Sequence, residues 1–292
     1  MAIIDAVVNY RRWLKRRNCS AHTLRTYMNT LRHFVLWLAL PIEEVGPRTV
    51  QDFIDHLIAR GLNPKTINCY LDSVRGFYNY LIHEEQVKII NPVKRGYLLR
   101  LARPLPRHLR DEEIPRLFAV IDSKRDRAIF MLMLRCGLRV AEVAQMSLQA
   151  LDLPRSQLSV YQGKGNKGRV VYLSPDAQRA LIDYLKLRAA SRAKSLFLVD
   201  KGRCKGTPIS VRGIQKRMEH YARLCGLRVC CHQLRHTMAT QLLNADAALV
   251  SIQDLLGHSR IRTTQRYCRV SNLKVQRDYQ QAIGKVIQRH AL

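Results

Sequence analysis

Between Asn91 and His108 the hydrophobic periodicity of the chain lapses: Pro92, Pro104 and Pro106 interrupt Lys94, Arg95, Arg100, Arg103 and Arg107. Proline lacks a backbone donor and biases the residue before it away from helix, so no regular element is expected to run through this stretch. It reads as a basic linker over 92–108, separating a segment 1–91 from a segment 109–292. Each segment is long enough to bury a core of its own.

The first segment reads as four helices. Ile3 to Arg16 carries Ile4, Val7, Val8 and Trp13 at helical spacing. Ser20 is placed to cap a second helix with Leu24, Tyr27, Leu31, Phe34, Val35 and Leu38 on one face. Thr49 is expected to cap Val50 to Ala59, ended by Gly61. Asn63-Pro64 then offers a cap and an N1 proline to a run holding Ile67, Tyr70, Leu71, Val74, Phe77, Tyr78 and Leu81.

The second segment is mixed. Helical spacing covers Asp111 to Ile121 and Arg125 to Leu134, and Gly137 breaks the pattern before Val140 to Met146. Gln157 to Tyr161 and Arg169 to Leu173 alternate like two strands, with residues 163–168 as a glycine-rich hairpin tip between them. Ser174-Pro175 opens a helix to about Ala190, Leu196 to Val199 reads as a short strand, and helices resume from Ser210 to the end. The expected class is therefore a mainly α first domain and a mostly helical α+β second domain with a small antiparallel sheet.

Charge narrows the partner. The chain has 50 Lys and Arg against 22 Asp and Glu, a formal net charge of +28. Residues 1–108 hold 17 basic and 8 acidic side chains and the remainder 33 and 14, so both parts are basic. A polyanion gripped by both is the natural counterpart, and double-stranded nucleic acid fits best. The longest apolar stretches, Phe34 to Ile42 and Ile129 to Leu134, are far below the roughly 20 residues of a spanning helix, and the N-terminus lacks a signal peptide's pattern, so a cytoplasmic, nucleoid-associated protein is expected. Eight cysteines without a CxxC pair favour buried free thiols over disulfides, and Cys230, Cys231 and His232 in immediate succession are poorly spaced for one tetrahedral ion.

Four segments of the second part stand out by residue type and order: Gly-Leu-Arg139-Val-Ala-Glu142, Gly-Lys164-Gly-Asn-Lys167-Gly-Arg169, His232-Gln-Leu-Arg235-His, and Leu-Gly-His258 followed nine residues later by Tyr267. Each alone has a bland reading. His232 and Arg235, three apart, share a helix face that is usually solvated. Arg139 and Glu142 can form a surface ion pair, Lys164 can be an exposed turn lysine, and Tyr267 can be a snorkelling aromatic among Arg262, Arg266 and Arg269.

In this order the set resembles the signature of the tyrosine recombinases, the phage integrase and Xer-like family. The resemblance covers essentially the whole chain. It implies that residues 1–91 form a helical, SAM-like core-binding domain on DNA and residues 109–292 the catalytic domain, in the two-domain form shared by Xer-type and transposon or plasmid recombinases. It places the catalytic set on Arg139, Lys164, His232, Arg235, His258 and Tyr267, with Glu142 behind Arg139 or a neighbouring histidine. Two departures, the Arg-Cys before Gly137 and Val-Tyr-Leu after the hairpin, touch none of these positions. Arg95, Arg100, Arg103, Lys167, Arg169 and Arg262 are the expected DNA contacts.

The chemistry fits those residue types. Attack on a phosphodiester needs a nucleophile, charge neutralisation on the non-bridging oxygens and a proton for the departing 5′ oxygen. Tyr267 supplies the first, Arg139 and Arg235 the second with planar forks, and Lys164 the third, while His258 donates a hydrogen bond and His232 moves protons. Arginines in this role replace the ion clamp of metal nucleases, and the scattered carboxylates offer no magnesium site, so no cofactor or metal is expected. The implied partner is a DNA recombination site held by a tetramer on two paired sites, formed by copies of this chain or with a related recombinase. Val275, Tyr279, Ala282, Ile283 and Val286 share a face of an expected helix over about 271–288, a segment that in the resembling family commonly reaches the adjacent protomer. Integration, excision or resolution of a mobile element or replicon is the expected setting. A type IB topoisomerase-like enzyme and a catalytically silent DNA-binding protein are the alternatives.

Overall fold

The computed structural model describes residues 3–102, 106–161, 168–188, 193–258, 261–268, 279–280 and 283, without the side chains of 262, 266 and 268. The chain divides into two compact units, Met1–Arg103 and Pro104–Leu292.

The first unit holds α1 (Ile3–Arg16), α2 (Ala21–Trp37), α3 (Pro47–Ala59) and α4 (Pro64–His83). Ser20 Oγ accepts from the Thr23 amide at 3.1 Å and Asn63 Oδ1 from the Thr66 amide at 2.9 Å, so both expected caps form. α3 starts earlier than Thr49 implies. Pro47, whose fixed φ suits a first helical position, opens it with Gly46 as the cap, and the Thr49 hydroxyl turns back to accept from the Gly46 amide. α4 packs against the other three helices, and Leu31, Phe34, Phe53, Leu71, Phe77 and Leu81 form the centre of the core. The start of the expected linker is folded onto this unit. Val93 is buried with the core, and Asn68 on α4 exchanges two 2.9 Å hydrogen bonds with the backbone of Leu99.

The second unit carries α5 (Glu113–Ala119), α6 (Lys124–Arg135), α7 (Val140–Ala144), β1 (Leu151–Asp152), β2 (Gln157–Val160), β3 (Arg169–Tyr172), α8 (Pro175–Leu187), α9 (Val211–Leu224), α10 (Cys231–Asn244), α11 (Leu249–Leu256) and α12 (Ile261–Cys268). α6 is the hub, packed on α7, α8 and α10, with Ala128, Ile129, Phe130, Leu132, Met133 and Leu134 buried. The strands form an antiparallel sheet in the order β1-β2-β3, with the buried pair Leu158 and Val171 in register. The strand expected at Leu196 to Val199 is instead two isolated bridges, Ser147 with Ser195 and Leu198 with Pro208, its backbone bonds divided between residues 146–148 on one side and 206–209 on the other. A smaller apolar cluster of Met238, Ala239, Leu243, Ile252, Leu256 and Tyr267 joins α10, α11 and α12. Of the expected terminal helix, residues 279, 280 and 283 are helical and Tyr279 is exposed; Val275, Ala282 and Val286 lie outside the described residues.

The core of this unit is pinned by a buried polar network. Asp126 on α6 is fully buried and accepts from Arg125 Nε at 2.8 Å and from Arg217 Nε on α9, while the Tyr221 hydroxyl lies 3.0 Å from Asp126 Oδ2 and 2.9 Å from Asp122 Oδ1. Removing the shared carboxylate takes from Arg217 the carboxylate it pairs with and leaves the buried Arg125 with Asp200 alone. Asp126→Ala is therefore expected to destabilise the protein by about 3–5 kcal/mol in denaturant unfolding. A loss under about 1 kcal/mol contradicts a structural role for the network.

Candidate active site

The site begins at the break between α6 and α7. Gly137 adopts φ +63°, and a Cβ there would stand 2.9 Å from Leu256 Cδ2 and 3.1 Å from Met238 Sδ, so both conformation and space require glycine. The chain then turns so that Arg139 caps α7. Glu142, one turn on, accepts from the Arg139 amide and from Arg139 Nη1, both at 2.7 Å. Its other bonds come from Arg169 on β3, whose Nη1 and Nη2 each reach a carboxylate oxygen at 2.9 Å in a two-pronged pair. Burial alone would push the Glu142 carboxyl up, but hydrogen bonds from Arg169 and Arg139 outweigh it and hold the group at about 2.

α10 brings the second cation. Arg235 is 1 % exposed, and its guanidinium donates to the carbonyls of Gly137 and Leu256, joining the α6–α7 break to the end of α11. Burial, and then the charge of Arg139, pull its pKa down to about 9. It stays protonated at neutral pH in a setting that favours any anion entering beside it.

α11 ends at Gly257 in the left-handed conformation, φ +60°, packed against the Arg169 side chain. The next residue, His258, places Nδ1 2.8 Å from the buried Thr264 hydroxyl. Burial, with Arg235 and Arg139 nearby, pushes its pKa down to about 4, so the imidazole is neutral at pH 7 and keeps one N–H to donate. Tyr267, on α12, is 2 % exposed; its ring lies nearly parallel to that of His258 at 6.5 Å, and its hydroxyl is 2.7 Å from His236 Nδ1. His236 in turn meets His232 edge to face, ring centroids 4.3 Å apart.

Arg139, Glu142, His232, Arg235, His258 and Tyr267 are thus joined through direct contacts or mutual electrostatic influence. Lys164, Lys167 and Arg103 lie outside the described residues, as does the Arg262 side chain. Arg95 and Arg100 are exposed on the first unit. Arg169, expected on DNA, is placed differently: with 9 % side-chain exposure and its Nε donating to the Leu255 carbonyl, it is an internal strut, because Glu142 needs a second cation. Glu142 contacts the two arginines rather than a histidine in the bonds described. The sequence reading missed His236. Its only sequence signal is the imidazole one turn after His232, and its meaning depends on α12 folding back on α10. An open groove of about 740 Å³ beside it is lined by Arg107, Arg223, Arg228, Cys230, His232 and His236.

A helical unit followed by a mostly helical domain, with buried guanidiniums gathered beside a tyrosine, defines the tyrosine recombinase class. The chain belongs to the phage integrase family: the model of that family matches residues 107–274, and that of the phage integrase N-terminal SAM-like domain matches residues 7–85. It is 35% identical over 262 residues to tyrosine recombinase XerC of Thermodesulfovibrio yellowstonii, covering 86% of each chain. It is 30% identical over 269 residues to tyrosine recombinase XerA of Thermococcus kodakarensis, covering 91% of each. Its fold is similar to the Tn1549 transposon integrase in complex with transposon right-end DNA, at a TM-score of 0.79 and 16% identity over 95% of this chain and 99% of the other. A lambda integrase dimer bound to a core site gives 0.76 at 16% identity, over 91% and 95%. Among the described residues no helix is long and apolar enough to cross a membrane.

The Glu142 pair sets a pH dependence. A carboxyl whose pKa falls from 4.5 to about 2 on folding adds stability that is complete above pH 4.5 and is lost as the pH drops toward 2. Glu142→Gln is expected to lose on the order of 3 kcal/mol at pH 7, with the gap to the unaltered protein narrowing below pH 4.5 in denaturant unfolding. A gap that stays constant from pH 7 to pH 3 contradicts this.

Proposed function

We propose that this protein is a site-specific recombinase that cuts and rejoins DNA strands through a 3′-phosphotyrosyl intermediate on Tyr267. The observation that carries the reading is the placement of Tyr267 beside a cluster in which Glu142 pairs with Arg139 and Arg169 while Arg235, buried next to them, is met by backbone carbonyls. Such a cluster holds surplus positive charge in a largely buried setting, and a phosphodiester supplies the missing negative charge.

Arg139 and Arg235 clamp the scissile phosphate, and neutral His258 donates to a non-bridging oxygen. Lys164 protonates the departing 5′ oxygen. The phosphotyrosine conserves the bond energy, so a 5′ hydroxyl from another strand reseals the backbone without ATP, and the arginines make a metal unnecessary. Residues 1–91 serve as the core-binding domain and 109–292 as the catalytic domain. Exposed Arg95 and Arg100 supply phosphate contacts that add affinity without sequence information. The working form is a tetramer on two paired sites, of identical chains or with a related recombinase. It acts in the cytoplasm on nucleoid DNA and serves integration, excision or resolution of a mobile element or replicon. XerC and XerA relatives and DNA-bound integrases of the same fold support this reading.

Selection of duplexes bound by the full chain from random-sequence DNA is expected to return two inverted half-sites flanking a short centre. A duplex of that sequence, nicked near the cleavage position so that the freed strand is lost, should accumulate covalent protein–DNA adduct. Tyr267→Phe should bind it with unchanged affinity and form none. Adduct formation by the Phe variant contradicts the assignment.

A further inference from the structure

The proton on Tyr267 has to leave as the phenol oxygen attacks, and its surroundings narrow where it goes. The residue is 2 % exposed, so bulk water is a poor acceptor. The Tyr267 oxygen is 2.7 Å from His236 Nδ1, a hydrogen-bond distance at which a proton can pass directly. Arginine stays protonated and accepts nothing. His258, whose ring stacks nearly parallel to the phenol at 6.5 Å, directs its Nδ1 to Thr264.

His236 also has a route outward. It is only partly buried, lines the open groove with Arg107, Arg223 and Arg228, and meets the exposed His232 edge to face at 4.3 Å between centroids. One imidazole therefore stands between a buried nucleophile and the solvent. The pair sits one helical turn apart on α10, so the helix that carries Arg235 to the phosphate also carries His236 to the tyrosine.

Resting on the recombinase reading above, we propose that His236 is a further catalytic residue: the base that takes the Tyr267 proton in strand cleavage and returns it in resealing. Neutral His236 holds its hydrogen on Nε2 and accepts at Nδ1. As the Tyr267 oxygen bonds to phosphorus, the phenol proton moves to Nδ1 and the bond from phosphorus to the 5′ oxygen breaks. The 5′ oxygen takes its proton from Lys164. The products are a 3′-phosphotyrosine, a 5′ hydroxyl, an imidazolium at His236 and neutral Lys164. Resealing runs each transfer backwards, so no co-reactant is consumed. His232 then neighbours the base, and the proton-moving role expected of it from sequence passes in this step to His236.

The test measures the single-turnover rate of adduct formation on the nicked duplex described above, with DNA affinity and thermal melting as controls. His236→Ala is expected to slow cleavage by about 10²-fold or more at pH 7 with affinity unchanged. His236→Asn separates proton transfer from positioning, because its carboxamide oxygen can hold the phenol hydroxyl but cannot take the proton; it is expected to remain at least tenfold slow. It also decides the matter if the alanine variant melts early. A His236→Asn rate within threefold of the unaltered protein overturns the proposal. If the unaltered protein forms no adduct, the recombinase reading falls and this proposal with it. Adduct at normal rates from the His236 variants removes only the base assignment.

Discussion

Three arginines around one carboxylate is the interaction on which the second domain's chemistry depends. Glu142 neutralises Arg139 and Arg169 in part, and Arg235, buried beside them, is met by the backbone carbonyls of Gly137 and Leu256. Carbonyl dipoles stabilise a guanidinium but leave its charge in place. The depressed pKa values of Arg235, about 9, and His258, about 4, record the same burial and crowding of cations. Preorganised charge of this kind has already been desolvated by folding, so it need not be rearranged when a phosphate takes on extra negative charge during reaction.

The fold delivers these groups from segments far apart in sequence. Gly137 lets the α6–α7 break approach Leu256 and Met238 closely enough for one buried guanidinium to bridge to α11. Gly257 ends α11 so that His258 follows at once, and the cluster of Met238, Leu243, Ile252 and Leu256 receives the Tyr267 ring. Tyr267 is thus held by apolar packing on one side and hydrogen-bonded to His236 at its hydroxyl, two restraints of different kinds on one short helix. Because Arg235 and His236 are adjacent on α10, a shift of that helix would disturb the charge clamp and the tyrosine together.

Much of this was legible in the chain before any coordinates. Caps at Ser20 and Asn63 are local signals and mark helix starts correctly, and the order of Arg139, His232, Arg235, His258 and Tyr267 identifies the family. What failed were features whose meaning lies in a distant partner. Thr49 looks like a cap until Pro47 is given its preference for the first helical position. The two residues of β1 carry no period to detect, and Leu196 to Val199 has the composition of a strand but pairs only through isolated bridges. Arg169 reads as a groove-facing hairpin arginine because its carboxylate partner is 27 residues away. His236 reads as nothing in particular, since Tyr267 reaches it only after α11 and α12 have turned the chain back.

In the proposed reaction the buried arginine cluster holds a phosphodiester for attack by Tyr267. Its most direct test is to digest the DNA-linked complex trapped on a nicked duplex and to sequence the peptide that retains the nucleotide. The expected product is a peptide containing Tyr267, joined through its phenol oxygen to a 3′ phosphate. A nucleotide on any other side chain, or a linkage to a 5′ phosphate, contradicts it.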